Sequence, residues 1–167
     1  MKKLNILKTI VDYVWIFSVI FYPVIIVVAI MLLIDINSNS IPIKITEIEA
    51  DLDTLGGKIA LLLSVLNLGL LLIVLFNFKK LLTNFKNRQI FEIEIYLLLK
   101  KIGKLLIYSS FFNVIAETIA RRSTKTVAIE LGFGPFLYLL SIGLFFLVLS
   151  EVFKIGKHIK EENELTI

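Results

Sequence analysis

Ser109, Asn113 and Glu117 stand at i, i+4 and i+8 in an otherwise apolar stretch. On a helix that spacing sets a hydroxyl, an amide and a carboxyl along one stripe. Asn67 lies near the middle of another apolar run and is placed to meet the centre of the stripe if the two runs are antiparallel helices. A carboxylate inside a membrane span is by default a site of ion or proton handling. A simpler reading puts Glu117 one turn from Arg121, again i, i+4, as an ion pair at the membrane surface. Asn113 then does no more than hydrogen-bond across to a neighbouring helix. The simpler reading is favoured, and the four residues stand as a candidate intramembrane polar stripe.

Other chemistry finds little support. The 167 residues include no cysteine, which excludes disulfides, thiolate nucleophiles and cysteine-held metals. The one histidine, His158, falls in a charged tail and reads as solvated. A phosphate-binding loop needs a glycine five residues before its Gly-Lys pair. Gly57-Lys58, Gly103-Lys104 and Gly156-Lys157 have Leu52, Leu98 and Glu151 there instead. No HExxH, GxSxG or calcium-loop spacing occurs. No catalytic residue, cofactor or metal site is expected, and the chain is read as non-enzymatic.

The elements that must position the stripe are apolar helices. The chain is 57% hydrophobic, with a mean hydropathy of +0.90, against about 45–50% apolar residues in soluble domains. Uncharged runs cover residues 13–34, 59–78 and 131–150, each near the ~20 residues a spanning helix needs. The run at 105–120 is shorter. It either spans, with its polar stripe facing other helices, or lies in the interface as an amphipathic helix. Interfacial helices carry Lys and Arg along the polar face, and this stripe has none, which favours spanning. Pro23 falls mid-run and is expected to kink its helix. The first run is too long for a signal-peptide core and no cleavage motif follows it, so it is read as retained.

Charge gives the orientation. Residues 79–104 hold seven of the chain's 18 basic residues, and cytoplasmic loops carry such an excess. With four spans, 13 of the 18 fall on the cytoplasmic side. The expected fold is all-α: an antiparallel bundle of four transmembrane helices at about residues 12–34, 58–80, 102–121 and 131–153. It forms a single domain in the plasma membrane, with a cytoplasmic loop at 79–104, a cytoplasmic tail at 154–167 and both termini inside. Ile41, Ile43 and Ile45 alternate with Pro42 and Lys44, and residues 124–129 are rich in β-formers. Their pairing would make a two-stranded β patch on the outer side. Thr54-Leu55-Gly56-Gly57 reads as a turn. The basic residues flank apolar runs, so anionic lipid head groups rather than nucleic acid are the expected counter-charge. Self-association into a homo-oligomer stays open.

The motifs resemble a known family. Phe85-Lys86-Asn87-Arg88-Gln89-Ile90-Phe91, then Lys100-Lys101-Ile102-Gly103, then Gly134-Pro135-Phe136-Leu137 fall in the family's order and approximate spacing. Gly143 through Val152-Phe153-Lys154, Gly156 and the terminal Glu164-Leu165-Thr166-Ile167 continue the likeness. The chain is similar to the DUF2975 family of small bacterial four-helix membrane proteins. The resemblance implies four spans, both ends cytoplasmic, no catalytic residue, and a small helix-turn-helix regulator as a protein partner. The function readings are a regulatory or sensory membrane protein acting through a partner or, alternatively, a small transporter or pore subunit.

Overall fold

The structure, a computed structural model, describes residues 2–34, 43–45, 48–87, 90, 92–123 and 134–165. Four long helices dominate it: α1 (Lys2–Ile34), α2 (Leu55–Lys86), α3 (Ile93–Ser123) and α4 (Gly134–Leu165). Each is long and apolar enough to cross a membrane. At 1.5 Å per residue they run about 45–50 Å, more than the ~30 Å of a hydrocarbon core.

The helices begin and end where local chemistry dictates. Thr54 caps α2: its hydroxyl accepts from the Gly57 amide at 3.1 Å and donates to the Asp51 carbonyl at 2.7 Å. Gly57 is required there, because an added Cβ would overlap the Asp51 carbonyl. Leu55, Gly56 and Gly57, expected in a turn, therefore form the first turn of α2. The other end closes at Asn87, whose amide donates to the Thr83 carbonyl at 3.1 Å. α1 starts about ten residues before the expected span, because Lys8–Asp12 (3.8 Å) and the Thr9 hydroxyl on the Asn5 carbonyl (2.9 Å) follow helical i, i+4 spacing. It continues as helix through Pro23.

Between α1 and α2, β1 (Ile43–Ile45) pairs antiparallel with β2 (Ile48–Ala50) in the register Ile43↔Ala50. This hairpin lies against α2 and α3. The expected partner of residues 41–45, residues 124–129, lies outside the described residues, so the patch drawn between those segments gains no support.

Each helix is antiparallel to its neighbour in sequence. Lys58 Nζ donates to the Leu33 carbonyl at 3.3 Å at one end of the α1–α2 pair, and Trp15 meets Phe76 (5.9 Å) towards the other. The α2–α3 pair joins Asn67 to Asn113 and Asn84 to Glu94. The α3–α4 pair joins Phe111 to Phe136 and Gly103 to Gly143. α3 packs along both α2 and α4 and is the most buried of the four. α1 is the most exposed: Val11 and Ala29 are its buried hydrophobics among the described residues.

Two apolar clusters make the core. One joins Ala29 of α1, Leu52 of the turn before α2, Ala60 and Leu61 of α2, and Ala120 of α3. The other joins Leu81 of α2 to Ile95, Leu98, Leu99, Ile102 and Leu106 of α3, with Phe78, Phe85, Phe146 and Phe153 packed on them. Phe85 and Phe153 stack at 5.9 Å, and Phe78 meets Phe146 edge-on at 6.3 Å.

α3 and α4 meet backbone to backbone. A Cβ on Gly103 would sit 2.8 Å from the Gly143 carbonyl oxygen, and one on Gly143 would sit 3.0 Å from that of Gly103. Small residues at such crossings let helices touch along their main chains, where packing and weak contacts supply attraction in an apolar solvent. Gly103→Ala should push α3 and α4 apart and cost about 1–3 kcal/mol, as overpacking does. Gly56→Ala, whose Cβ would come no nearer than 3.4 Å to a neighbour, should cost much less. Denaturing-detergent titration of the purified protein checks both. Equal stability of Gly103→Ala and wild type would refute the contact.

Candidate polar site between the helices

The gap between the two apolar clusters is filled by the amides and hydroxyl of the stripe. Asn67 of α2 projects towards α3, where Ser109 and Asn113 stand one turn apart. Asn67 Nδ2 donates to Asn113 Oδ1 at 2.8 Å, and Ser109 Oγ donates to Asn67 Oδ1 at 2.7 Å. Ser109 is fully buried and Asn67 nearly so. The arrangement is a relay: one amide uses both its donor and its acceptor on the facing helix. Ser110, also fully buried, returns its proton to the Ile107 carbonyl at 2.7 Å within its own helix.

Glu117 does something different. Its Oε1 lies 2.7 Å from Arg121 Nη2, one turn along α3. A carboxylate spent on a neighbouring guanidinium is a local ion pair rather than a third member of the amide relay. The structure thus brings three of the four candidate residues together, and places Glu117 with Arg121.

A second polar zone lies at the opposite end of α3, built from residues far apart in the chain. Glu94 Oε1 is 2.6 Å from Lys80 Nζ, and Oε2 accepts from Asn84 Nδ2 at 2.9 Å, which ties α3 back to α2. The Lys80 ammonium, hydrogen-bonded to Glu94, holds that carboxyl below its usual range, with Asn84 adding and desolvation opposing. Lys100 Nζ donates to the Tyr96 hydroxyl at 2.9 Å. That bond holds Lys100 above its usual range, with help from Glu151. Lys154 Nζ lies 5.7 Å from the Tyr96 ring and 3.8 Å from Glu151.

α1 is tied at the same end. Asp12 receives Lys79 Nζ of α2 at 3.4 Å and Lys8 Nζ at 3.8 Å. Asp12 Oδ1 is buried and lacks an aligned hydrogen bond, so the Lys79 contact is one of charge. Lys79 also stands 4.4 Å above the Trp15 ring. Trp15 packs on Phe76 and holds Lys79, which no spacing within α1 could reveal. Asn77 and Asn84 are likewise buried and were missed; for Asn77 an asparagine in an apolar run was the available signal, whereas Asn84 lies in the basic segment.

Among the described residues no group of three His, Cys, Asp or Glu side chains stands together as a metal site. His158 is well exposed, with Glu161 at 3.9 Å.

Asn113→Leu should cost about 1 kcal/mol or less, since interhelical hydrogen bonds in membranes average about 0.6 kcal/mol. Asn67→Leu should cost more, about 1–2 kcal/mol, because it strands both Ser109 and Asn113. Asn113→Asp should be the least stable at neutral pH, and protonating the carboxyl at low pH should narrow its deficit. Unfolding in mixed detergent reports all three. If Asp were as well tolerated as Leu at neutral pH, the site would be wet and the relay wrong. For Glu94 the sign is that of a depressed carboxyl. Its contribution is present above the unfolded value and is lost as pH falls through the folded one. Acidification below the usual glutamate range should therefore loosen the α2–α3 end slightly, and Glu94→Gln should remove that component of the pH profile.

Comparison with known proteins places these features in a family context. No curated protein and no solved structure matches the chain. A family described as "Protein of unknown function (DUF2975)" matches residues 4–167, covering all four helices, the polar relay and the charged end. The chain belongs to the DUF2975 family.

Proposed function

We propose that the chain is a multi-pass integral membrane protein that catalyses no reaction and acts by contact with a protein partner in a regulatory or sensory role. All four helices cross the plasma membrane in this reading, with both termini cytoplasmic. A small helix-turn-helix regulator, engaged at the basic end, is the proposed partner.

The observation that carries the reading is the way polar groups are spent. Asn67, Ser109 and Asn113 bond to one another between two apolar clusters. A transporter or pore would need polar groups continuing along an axis, and the relay has apolar packing on either side of it. Meanwhile the outward faces are large apolar side chains, such as Phe17 (64% exposed), Tyr138 (72%) and Val148 (62%). Apolar exposure of that extent marks a membrane or partner surface. The inside position of α3, between α2 and α4, supports spanning by the helix whose sequence was shortest. The helix ends that overshoot a bilayer on one side are residues 2–12, 79–86, 93–104 and 151–165, where lysines concentrate, in keeping with the positive-inside rule.

Reporters active only in the cytoplasm or only outside, fused after Ile167, test the topology. The cytoplasmic reporter should be active, and activity of the other would mean that one helix fails to span. Purification from native membranes should bring down a specific protein. A self-oligomer that conducts ions in liposomes would instead establish the transporter or pore reading.

A further inference from the structure

α1 leaves α4 across an open cleft. The cleft has a volume of about 640 Å³, with Phe17 and Phe21 of α1 on one wall and Ile142 and Phe146 of α4 on the other. Leu71 and Phe78 of α2 contribute to its floor. Its polar exception, Ser18, donates its hydroxyl to the Val14 carbonyl at 2.7 Å and has no proton to offer a ligand. Such walls recognise hydrocarbon.

Size narrows the occupant. The lining runs along α2 from Leu68 to Phe78, about 15 Å at 1.5 Å per residue. Hydrocarbon chains pack at carbon–carbon contacts of about 3.5–4.0 Å. Extended acyl chains fit along an apolar cleft of that length.

Charge names the head group. Phe17 is five residues, or about 7.5 Å, from Asp12 along α1, and Phe78 is adjacent to Lys79. At that end of the cleft two ammonium groups, Lys8 and Lys79, share the single carboxylate of Asp12. One positive charge is left in excess, at the end where anionic lipid head groups of the cytoplasmic leaflet lie. We infer that the α1–α4 cleft is a binding site for one anionic phospholipid of the surrounding bilayer, its acyl chains in the cleft and its head group at Lys8 and Lys79. The inference rests on the membrane-spanning reading above.

Trp15 is the sole tryptophan of the chain and lies one turn from Ser18, so it reports on the site. The full chain is placed in phosphatidylcholine vesicles doped with a bromine-labelled lipid that quenches tryptophan on contact. Labelled phosphatidylglycerol should quench Trp15 as though enriched about five-fold over labelled phosphatidylcholine, the preference expected of one lysine near an anionic head group. Ser18→Phe or Ile142→Phe, each filling the cleft without adding a tryptophan, should abolish the preference. Lys8→Gln should lower it while leaving quenching by phosphatidylcholine unchanged. Equal quenching by the two lipids in the wild type, or a preference that survives both Phe substitutions, would overturn the site. So would shielding of Trp15 from both lipids combined with cross-linking of Ser18→Cys chains, which would put a second copy over the cleft. Flotation with the vesicles is read separately: chains that do not float refute the spanning reading itself, whatever the cleft binds.

Discussion

The hydrogen bonds of Asn67 to Ser109 and Asn113 set the register of α2 on α3, and much of the remaining packing depends on that register. The apolar clusters on either side attract without direction and would accept a helix shifted by a turn at modest cost. Two amides and a hydroxyl would not, because a shift by one turn leaves buried polar groups without partners. With the register fixed, Glu94 falls beside Lys80 and Asn84, and Phe78 and Phe85 reach the aromatic rings of α4. The energy of each bond is small. Its specificity comes from the alternatives it penalises.

α3 and α4 are joined by a different device. Gly103 and Gly143 bring the two main chains together, and the bulky Leu147 and Ile107 close over the contact. A glycine crossing fixes distance, whereas a hydrogen-bonded relay fixes register. α3 takes part in both, which explains why it is the least exposed helix although the least hydrophobic of the four. Its polar and small residues are affordable because they face other helices.

α1 is held by fewer and more peripheral ties. Lys79 on Asp12 and Trp15 holds one end, and Lys58 on the Leu33 carbonyl holds the other. Tyr22, whose hydroxyl donates to the Val65 carbonyl at 3.4 Å, fits over the bare Gly69 between them. Contacts spaced this widely fix one edge of α1 to α2 and leave the other edge standing clear of α4. The cleft is the consequence, and its apolar walls and charged end follow from which residues the ties leave uncovered.

Much of this was legible in the sequence. Uncharged runs of about twenty residues marked α1, α2 and α4, and the spacing of Ser109 and Asn113, though not of Glu117, marked the face that α3 turns to α2. Asn67 could be proposed as its partner because both lie mid-run in helices of opposite direction. Glu117 with Arg121 was legible for the same reason as any i, i+4 pair: both ends lie on one helix, whose geometry is known in advance. The tertiary structure alone decided the contacts that join residues distant in the chain. Lys79 reads as one more basic residue of the 79–104 segment until α1 brings Asp12 and Trp15 to it, and the glycine crossing needs Gly103 and Gly143 at the same height. Helix periodicity is a local property that a sequence carries in full. Which face of one helix meets which face of another depends on the shape of both surfaces at once, and that is settled only when the helices pack.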